Sequence, residues 1–148
     1  MTKDFVAQCA ISIETSTGRV WRALVSPRDI RRYMFGTHVE STWQVGSPIT
    51  WRGEWEGKPY RDKGVIKAIQ QERRLQFTHY SALSGLPDVP ENYHTVTIEL
   101  EPKNGDTRVT LSQDNNPSDE ARKHSEKNWD TMLASLKEFL EEPVQTTR

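Results

Sequence analysis

A long apolar stripe near the carboxyl end, preceded by alternating segments, is the feature that most constrains how this chain folds. The stripe recurs at i, i+3, i+4, i+7 and i+11, as one face of a helix does, and consists of Trp129, Met132, Leu133, Leu136 and Leu140. Most of the chain before it alternates apolar with polar residues, which is typical of half-buried strands. Such a chain buries both apolar surfaces when one helix lies across one sheet.

Seven segments are predicted as strands from this alternation and from the turn signals between them. In residues 5–13, for example, Phe5 and Cys9 fall on the apolar face. The remaining strands are predicted over residues 38–43, 48–55, 60–70, 73–81, 92–101 and 107–115. Asn104-Gly105, between the last two strands, predicts a tight hairpin turn.

Three helices are predicted from capping signals. Residues 14–17 offer capping side chains for a first short helix, and Ser26 with Pro27 starts a second one that ends near Tyr33. Ser118 caps the long helix. The polar face of this helix, which we expect to be solvated, carries Glu126, Lys127, Asp130, Lys137 and Glu141.

The order of these elements predicts an α+β helix-grip fold, in which a curved seven-stranded antiparallel sheet surrounds a long C-terminal helix, with two short helices after the first strand. We expect one domain over residues 1–148, with an ordered core of about 5–142, because two halves of this chain would each bury too small a core. One helix is too thin to fill the curve of such a sheet. A cavity is therefore expected between them, and function is expected there.

Strand parity assigns side chains to this cavity. Phe77 and His79 share the inward face of one strand, and His94 and Val96 share that of the next. The predicted cavity residues are Tyr33, Phe35, Trp51, Trp55, Phe77, His79, His94, Val96, Trp129, Met132 and Leu136. For the aromatic residues, Trp129 above all, packing in the core without any ligand is the alternative.

Composition excludes several classes of function. Twenty Lys and Arg against 21 Asp and Glu give a formal net charge of −1, so no field of one sign attracts nucleic acid or an anionic membrane. No apolar run exceeds three residues, which predicts a soluble, cytoplasmic protein without membrane insertion. The single cysteine, Cys9, can form neither an intramolecular disulfide nor a cysteine-based zinc site.

The chemistry that these residues suggest is limited. His79 or His94 could act as a general base, but no carboxylate stands at an obvious orienting position, which favours core histidines over catalytic ones. The histidines lack the spacing of metal ligands, so neither metal nor cofactor is expected. Burial among apolar neighbours is expected to raise the pKa of the Cys9 thiol, which disfavours Cys9 as a nucleophile.

Several stretches of the chain carry a family resemblance from about Phe5 to Glu142: RVWRALVSPRDIRRYM, RRLQFTHYS, YHTVTIEL, TRVTLSQ and NWDTMLASLKEFLEE. They resemble the activator of heat-shock-protein ATPase homologue family, which belongs to the START-like superfamily, also called SRPBCC or Bet v 1-like. The resemblance implies the helix-grip fold and a hydrophobic cavity suited to lipids, polyketide-like compounds or other apolar molecules.

These observations favour a binding protein for an apolar or amphipathic small molecule, monomeric or weakly dimeric. One alternative is an enzyme of the cyclase, dehydratase or hydrolase kind that uses His79 or His94. Another is a chaperone-linked stress protein that acts through a partner surface. For that surface, or for a lid, the apolar and proline-bearing loop over residues 82–91 is the candidate.

Overall fold

Seven antiparallel strands form one curved sheet in the computed structural model, which describes residues 5–142. The strands are β1 (Phe5–Ile13), β2 (His38–Ser41), β3 (Pro48–Trp55), β4 (Lys58–Gln70), β5 (Arg74–Ser81), β6 (His94–Lys103) and β7 (Asp106–Asn116). Their order in the sheet is β1-β7-β6-β5-β4-β3-β2. Strands β2 to β7 therefore pair in the order of the sequence, and β1 returns to pair with β7.

Three α-helices complete the described part of the fold: α1 (Thr17–Leu24), α2 (Pro27–Tyr33) and α3 (Asp119–Glu141). Each begins after a serine whose hydroxyl oxygen accepts a hydrogen bond from a backbone N–H of the first turn. These serines are Ser16, Ser26 and Ser118, at 3.2, 3.3 and 3.0 Å from the nitrogens they accept from. The predicted helix-grip fold is confirmed, with its two short helices after β1.

The core lies between the sheet and α3. The apolar stripe of α3 is buried through Met132, Leu133, Leu136 and Leu140. It packs with inward residues of the strands, and α1 and α2 add further apolar side chains, among them Val20, Leu24 and Ile30. Burying each large aliphatic side chain contributes about 1.5–3 kcal/mol, so this layer is the main source of stability.

Several strand boundaries differ from the sequence prediction by one or two residues, and two of these differences lie at left-handed residues. β2 ends at Ser41 rather than at residue 43, since Trp43 has φ 59° and its backbone N–H donates to the Ser41 hydroxyl at 3.0 Å. β4 begins at Lys58, two residues earlier than predicted. Positive φ angles at Glu56 and Gly57 close a tight turn there and extend the pairing with β3.

Three side chains on the polar face of α3, Glu126, Lys137 and Glu141, also make contacts with the sheet that the sequence analysis did not predict. These side chains bond backbone groups of β1, which is an edge strand of the sheet. The bonds are Gln8 N to Glu126 Oε2 at 3.0 Å, Lys137 Nζ to Ser12 O at 2.7 Å, and Glu14 N, just past the strand, to Glu141 Oε2 at 2.8 Å. They satisfy edge groups that would otherwise be open to pairing with another chain. We call these three hydrogen bonds the edge clamp.

The edge clamp predicts a specific loss of stability in acid. The backbone N–H of Gln8 lowers the pKa of Glu126, and Lys137 lowers the pKa of Glu141. A lowered folded-state pKa contributes stability that is present above the ordinary glutamate value of about 4.5 and is lost as the pH falls below it. We expect the Glu126→Gln/Glu141→Gln variant to be less stable than wild type at pH 7, and nearly equal to it near pH 3.

Urea unfolding at both pH values measures this difference. The control is Glu138→Gln, which removes an exposed carboxylate from the same helix. A stability difference between the double variant and wild type that stays constant with pH would contradict the electrostatic role of the clamp.

Candidate functional site

A cavity of about 110 Å³ lies between the sheet, α3 and the short helices. Its wall is mostly apolar, and rings make up much of it. The wall consists of Leu24, Tyr33, Met34, Thr37, Trp43, Ile49, Trp51, Tyr60, Asp62, Leu75, Phe77, His79, Ile98, Trp129 and Met132. Every layer of the fold thus contributes to one partly open cavity.

The aromatic side chains of the wall pack against one another in defined geometry. The Trp51 ring lies 5.2 Å from Phe77 and 5.1 Å from His79, centroid to centroid, at tilts of 48° and 63°. These separations fall within the favourable range for tilted and edge-to-face rings. From the opposite side, Trp129 of α3 donates its Nε1–H to Gln113 Oε1 at 2.5 Å. Because these rings are fixed by neighbours, the cavity has preformed walls.

Most of the predicted cavity residues meet at this wall. Those that line it are Tyr33, Trp51, Phe77, His79, Trp129 and Met132. Val96 and Leu136 are fully buried in the core nearby but do not line the space. The burial of Phe77 and Val96 thus agrees with the inward faces that strand parity predicts for β5 and β6.

Two more of the predicted residues, Phe35 and His94, do not line this wall. Phe35 is 68% exposed, has φ 57° and lines a separate open groove on the surface. The His94 ring stacks at 6.4 Å from that of His79, and its Nδ1 bonds the Asp114 carbonyl at 2.9 Å. The side chain of Trp55 lies outside the described part of the structure.

The polar feature of the wall is a carboxylate and imidazole pair that the sequence analysis did not foresee. The β3–β4 register sets Asp62 directly opposite Trp51, and His79 faces the same way on β5. His79 Nε2 lies 2.8 Å from Asp62 Oδ2, and the two side chains are 25% and 16% exposed. The expectation that no carboxylate orients a cavity histidine is therefore wrong. The sequence did indicate this position of Asp62. By strand parity, Asp62 shares the inward face of β4 with the buried Ile66.

A close approach of two strands positions this pair. A Cβ atom built on Gly64 would lie 1.7 Å from the Thr78 carbonyl oxygen, so only glycine fits at this point of β4. The Thr78 hydroxyl also accepts from the backbone N–H of Val65 at 2.9 Å. Because His79 follows Thr78 directly, the approach of the strands sets the imidazole relative to Asp62.

The hydroxyl groups on the cavity wall have hydrogen-bond partners within the protein. The Tyr33 hydroxyl donates to the Ala23 carbonyl at 2.9 Å, and burial raises the pKa of Tyr33. The Tyr60 and Thr37 hydroxyls share a hydrogen bond of 2.7 Å. Thr37, Tyr60 and Trp43 were not predicted as cavity residues. Thr37 lies before β2 and Trp43 after it, outside the strands, whereas Tyr60 lies in β4 on the same face as Asp62, where strand parity could have assigned it.

Cys9 lies outside this wall. Burial, followed by a hydrogen bond with Asp130, raises the pKa of the thiol to about 12. Its Sγ donates to the Glu126 carbonyl at 3.4 Å. The thiolate is thus disfavoured at neutral pH, as the sequence analysis predicted for a residue on the inward face of β1.

The loop over residues 82–91 lies on the other side of the sheet. Tyr80 and Tyr93 stack at 5.2 Å, and the Tyr80 hydroxyl donates to the Leu86 carbonyl at 2.6 Å. Asp88 pairs with Lys63 on the same face. Within the described residues no part of this loop lines the cavity, so its geometry does not favour the lid interpretation.

Two further findings concern metals and membranes. Residues 5–142 hold no group of three or more His, Cys, Asp or Glu side chains placed to bind a metal ion. No helix in that part of the chain is both long and apolar enough to span a bilayer.

The seven-stranded curved sheet around the long C-terminal helix, with an apolar cavity between them, defines a START-like, Bet v 1-like helix-grip protein. The family model described as Activator of Hsp90 ATPase homolog 1-like protein matches residues 14–141. The chain belongs to this family. A search of curated proteins finds no match.

Solved structures share the fold. ChR145 from Cytophaga hutchinsonii is 50% identical over 95% of this chain and 97% of that chain, with a TM-score of 0.84. The Aha1 dimer from Colwellia psychrerythraea is 19% identical over 93% and 96% of the two chains, with a TM-score of 0.72. Ara h 8.0201 is 12% identical over 93% and 98%, also with a TM-score of 0.72. The last two comparisons concern the fold alone.

The close approach at Gly64 yields a prediction for stability and for the site. Gly64→Ala must push β5 away at Thr78. We therefore expect the free energy of unfolding to fall by at least about 1–3 kcal/mol. We also expect altered NMR signals from the His79 ring. Urea unfolding and ring 1H–15N spectra measure the two effects.

Gly18→Ala is the matched control, because a Cβ there meets nothing closer than 3.5 Å. If both alanine variants kept wild-type stability and wild-type His79 signals, the strand approach would not position the site.

Proposed function

We propose that this protein binds a small apolar or amphipathic molecule in the cavity, without metal or cofactor. The observation that carries the proposal is the mostly apolar, largely aromatic wall around unfilled space between the sheet and α3. Ligand sites are concave, mostly apolar and supplied with a few placed polar groups, and here the Asp62–His79 pair supplies them.

The volume of the cavity limits the size of this ligand. Drug-sized ligands occupy pockets of roughly 300–1,000 Å³, whereas an engineered apolar cavity of about 150 Å³ holds benzene. A space of about 110 Å³ therefore suits a single ring or the end of a longer chain. A sterol or a whole fatty acid requires the side chains of the wall to move apart.

A cavity-filling variant tests this proposal. Ile98 lies on the wall and is 4% exposed, so Ile98→Phe places a ring in the space that a ligand needs. We expect toluene to bind wild type saturably and to bind Ile98→Phe at least about tenfold more weakly. Isothermal titration calorimetry measures both affinities, and amide NMR spectra check that the variant is folded.

Val96→Ile serves as control, since it enlarges a buried residue of the same strand face away from the wall. The proposal fails if toluene does not bind wild type, or if a folded Ile98→Phe variant binds it unchanged.

A second candidate function, acid–base catalysis, is favoured by the Asp62–His79 pair. When His79 Nε2–H donates to Asp62 Oδ2, the carboxylate fixes the tautomer and orients the ring. Nδ1 of the neutral imidazole then carries the lone pair that can remove a proton from a substrate or a water molecule. This arrangement fits the hydrolase and dehydratase reactions considered above.

Hydrolysis of p-nitrophenyl acetate tests the second candidate. A positioned general base contributes about 10²–10⁴-fold in rate, so His79→Gln should lose most turnover while still binding toluene. His94→Gln is the matched control, because His94 is bonded to a backbone carbonyl and does not line the cavity. Equal rates for wild type and both variants would remove the catalytic candidate.

The partner-surface alternative rests on the loop over residues 82–91, where Leu83 and Leu86 are 56% and 49% exposed. A chaperone or another protein could contact these side chains without using the cavity. A monomeric or weakly dimeric state and a cytoplasmic location are part of the proposal and remain predictions.

A further inference from the structure

We infer that the open groove beside Phe35 binds a small aryl phosphate, whose ring lies against Phe35 and whose phosphate oxygens accept hydrogen bonds from Arg52 and Arg61. This second site does not depend on a ligand in the cavity. The groove has a volume of about 690 Å³, within the range of small-molecule sites. Besides these three residues, its lining includes His38, Glu54 and Tyr60.

Three basic side chains form a row across the strands at this groove. The register sets His38 opposite Arg52 and Arg52 opposite Arg61, and all three side chains are exposed. Like charges directly opposite each other on neighbouring strands destabilise a sheet. Within residues 5–142, no carboxylate forms an ion pair with either arginine. The row therefore concentrates positive charge that a bound anion would neutralise.

Phe35 carries two energetic costs that the stability of the fold does not explain. It follows the C-cap of α2, where glycine is the usual residue, and its φ of 57° is unfavourable for a bulky side chain. The backbone N–H of Gly36 donates to the Arg31 carbonyl at 2.9 Å, which closes the helix in this conformation. The Phe35 ring is nevertheless 68% exposed. A strained residue that presents an apolar ring at a groove indicates a binding role for that ring.

Tyr60 supplies a second ring at the groove, and its position is fixed. A Cβ atom built on Gly53 would lie 2.9 Å from the Tyr60 hydroxyl oxygen, so glycine at this point of β3 makes room for the tyrosine. The Thr37 hydroxyl donates to the Met34 carbonyl, so Tyr60 is the donor in the 2.7 Å hydrogen bond to Thr37. The groove thus combines cationic side chains with aromatic surface.

These features favour an aryl phosphate over an aryl carboxylate. Guanidinium groups bind both anions through paired N–H donors. A carboxylate offers one pair of oxygens and one charge, which suits one guanidinium group. A phosphate monoester offers three terminal oxygens and about two negative charges near neutral pH, so it matches two arginines on neighbouring strands.

Three probes separate the contributions to binding. Phenyl phosphate carries a ring and a phosphate, benzoate carries a ring and a single charge, and inorganic phosphate carries no ring. We expect phenyl phosphate to bind wild-type protein at least about tenfold more tightly than either of the others. Calorimetric titration at low ionic strength measures the three dissociation constants, because salt screens exposed charges.

Charge variants test the arginine contacts. Arg52→Gln/Arg61→Gln should weaken phenyl phosphate binding at least about tenfold. The matched control is Arg19→Gln/Arg22→Gln, which removes the same charge from exposed positions of α1 outside the groove and should keep wild-type affinity. Glu54→Gln should tighten binding about threefold, since it removes a negative charge that lines the groove.

Phe35→Gly separates a binding role from a structural one. Glycine adopts a φ of 57° without strain, so we expect this variant to be at least as stable as wild type in urea. It should bind phenyl phosphate at least about fivefold more weakly and inorganic phosphate with wild-type affinity.

Ile98→Phe, which fills the cavity, shows whether the two sites are separate. We expect it to bind phenyl phosphate with wild-type affinity, and loss of binding by this variant in folded form would place the ligand in the cavity and overturn the inference. Equal affinity of wild type for phenyl phosphate and benzoate would overturn it too. So would unchanged binding of phenyl phosphate by the folded Arg52→Gln/Arg61→Gln variant, or its absence in wild type.

Discussion

Burial of the α3 stripe against the sheet is the interaction on which the other features depend. Met132, Leu133, Leu136 and Leu140 supply the apolar surface that the inward strand residues need, and without it the sheet would expose one whole face. The edge clamp fixes the position of the helix along β1. With helix and sheet fixed, the space between them is determined by the size of the side chains that meet there.

The cavity arises because that space is wider than the side chains can fill. Trp51 and Trp129 enter it from opposite layers, and each is held by a neighbour rather than by the other. Gly64 lets two strands approach closely at one point, and this approach places His79 within hydrogen-bond distance of Asp62. A structural requirement of the sheet thus produces the carboxylate and imidazole pair in a mostly apolar wall.

The fold could be predicted from the sequence because each element carries its own local signal. Asn104 and Gly105 have φ angles of 53° and 90° and join paired strands, as the Asn-Gly turn predicted. Asp62 was missed because its role depends on the register of three strands, and its neighbours Arg61 and Lys63 give the segment a polar appearance. Trp43 was placed in a strand, whereas its left-handed backbone ends that strand beside the cavity.

The central claim is that the space between sheet and helix admits a ligand. An amide NMR titration with single-ring compounds, mapped residue by residue, tests it most directly. The account predicts saturable shifts that cluster at Trp51, Phe77, Ile98 and Trp129, with the loop over residues 82–91 unchanged. Shifts confined to that loop, or none with any compound at millimolar concentration, would contradict it.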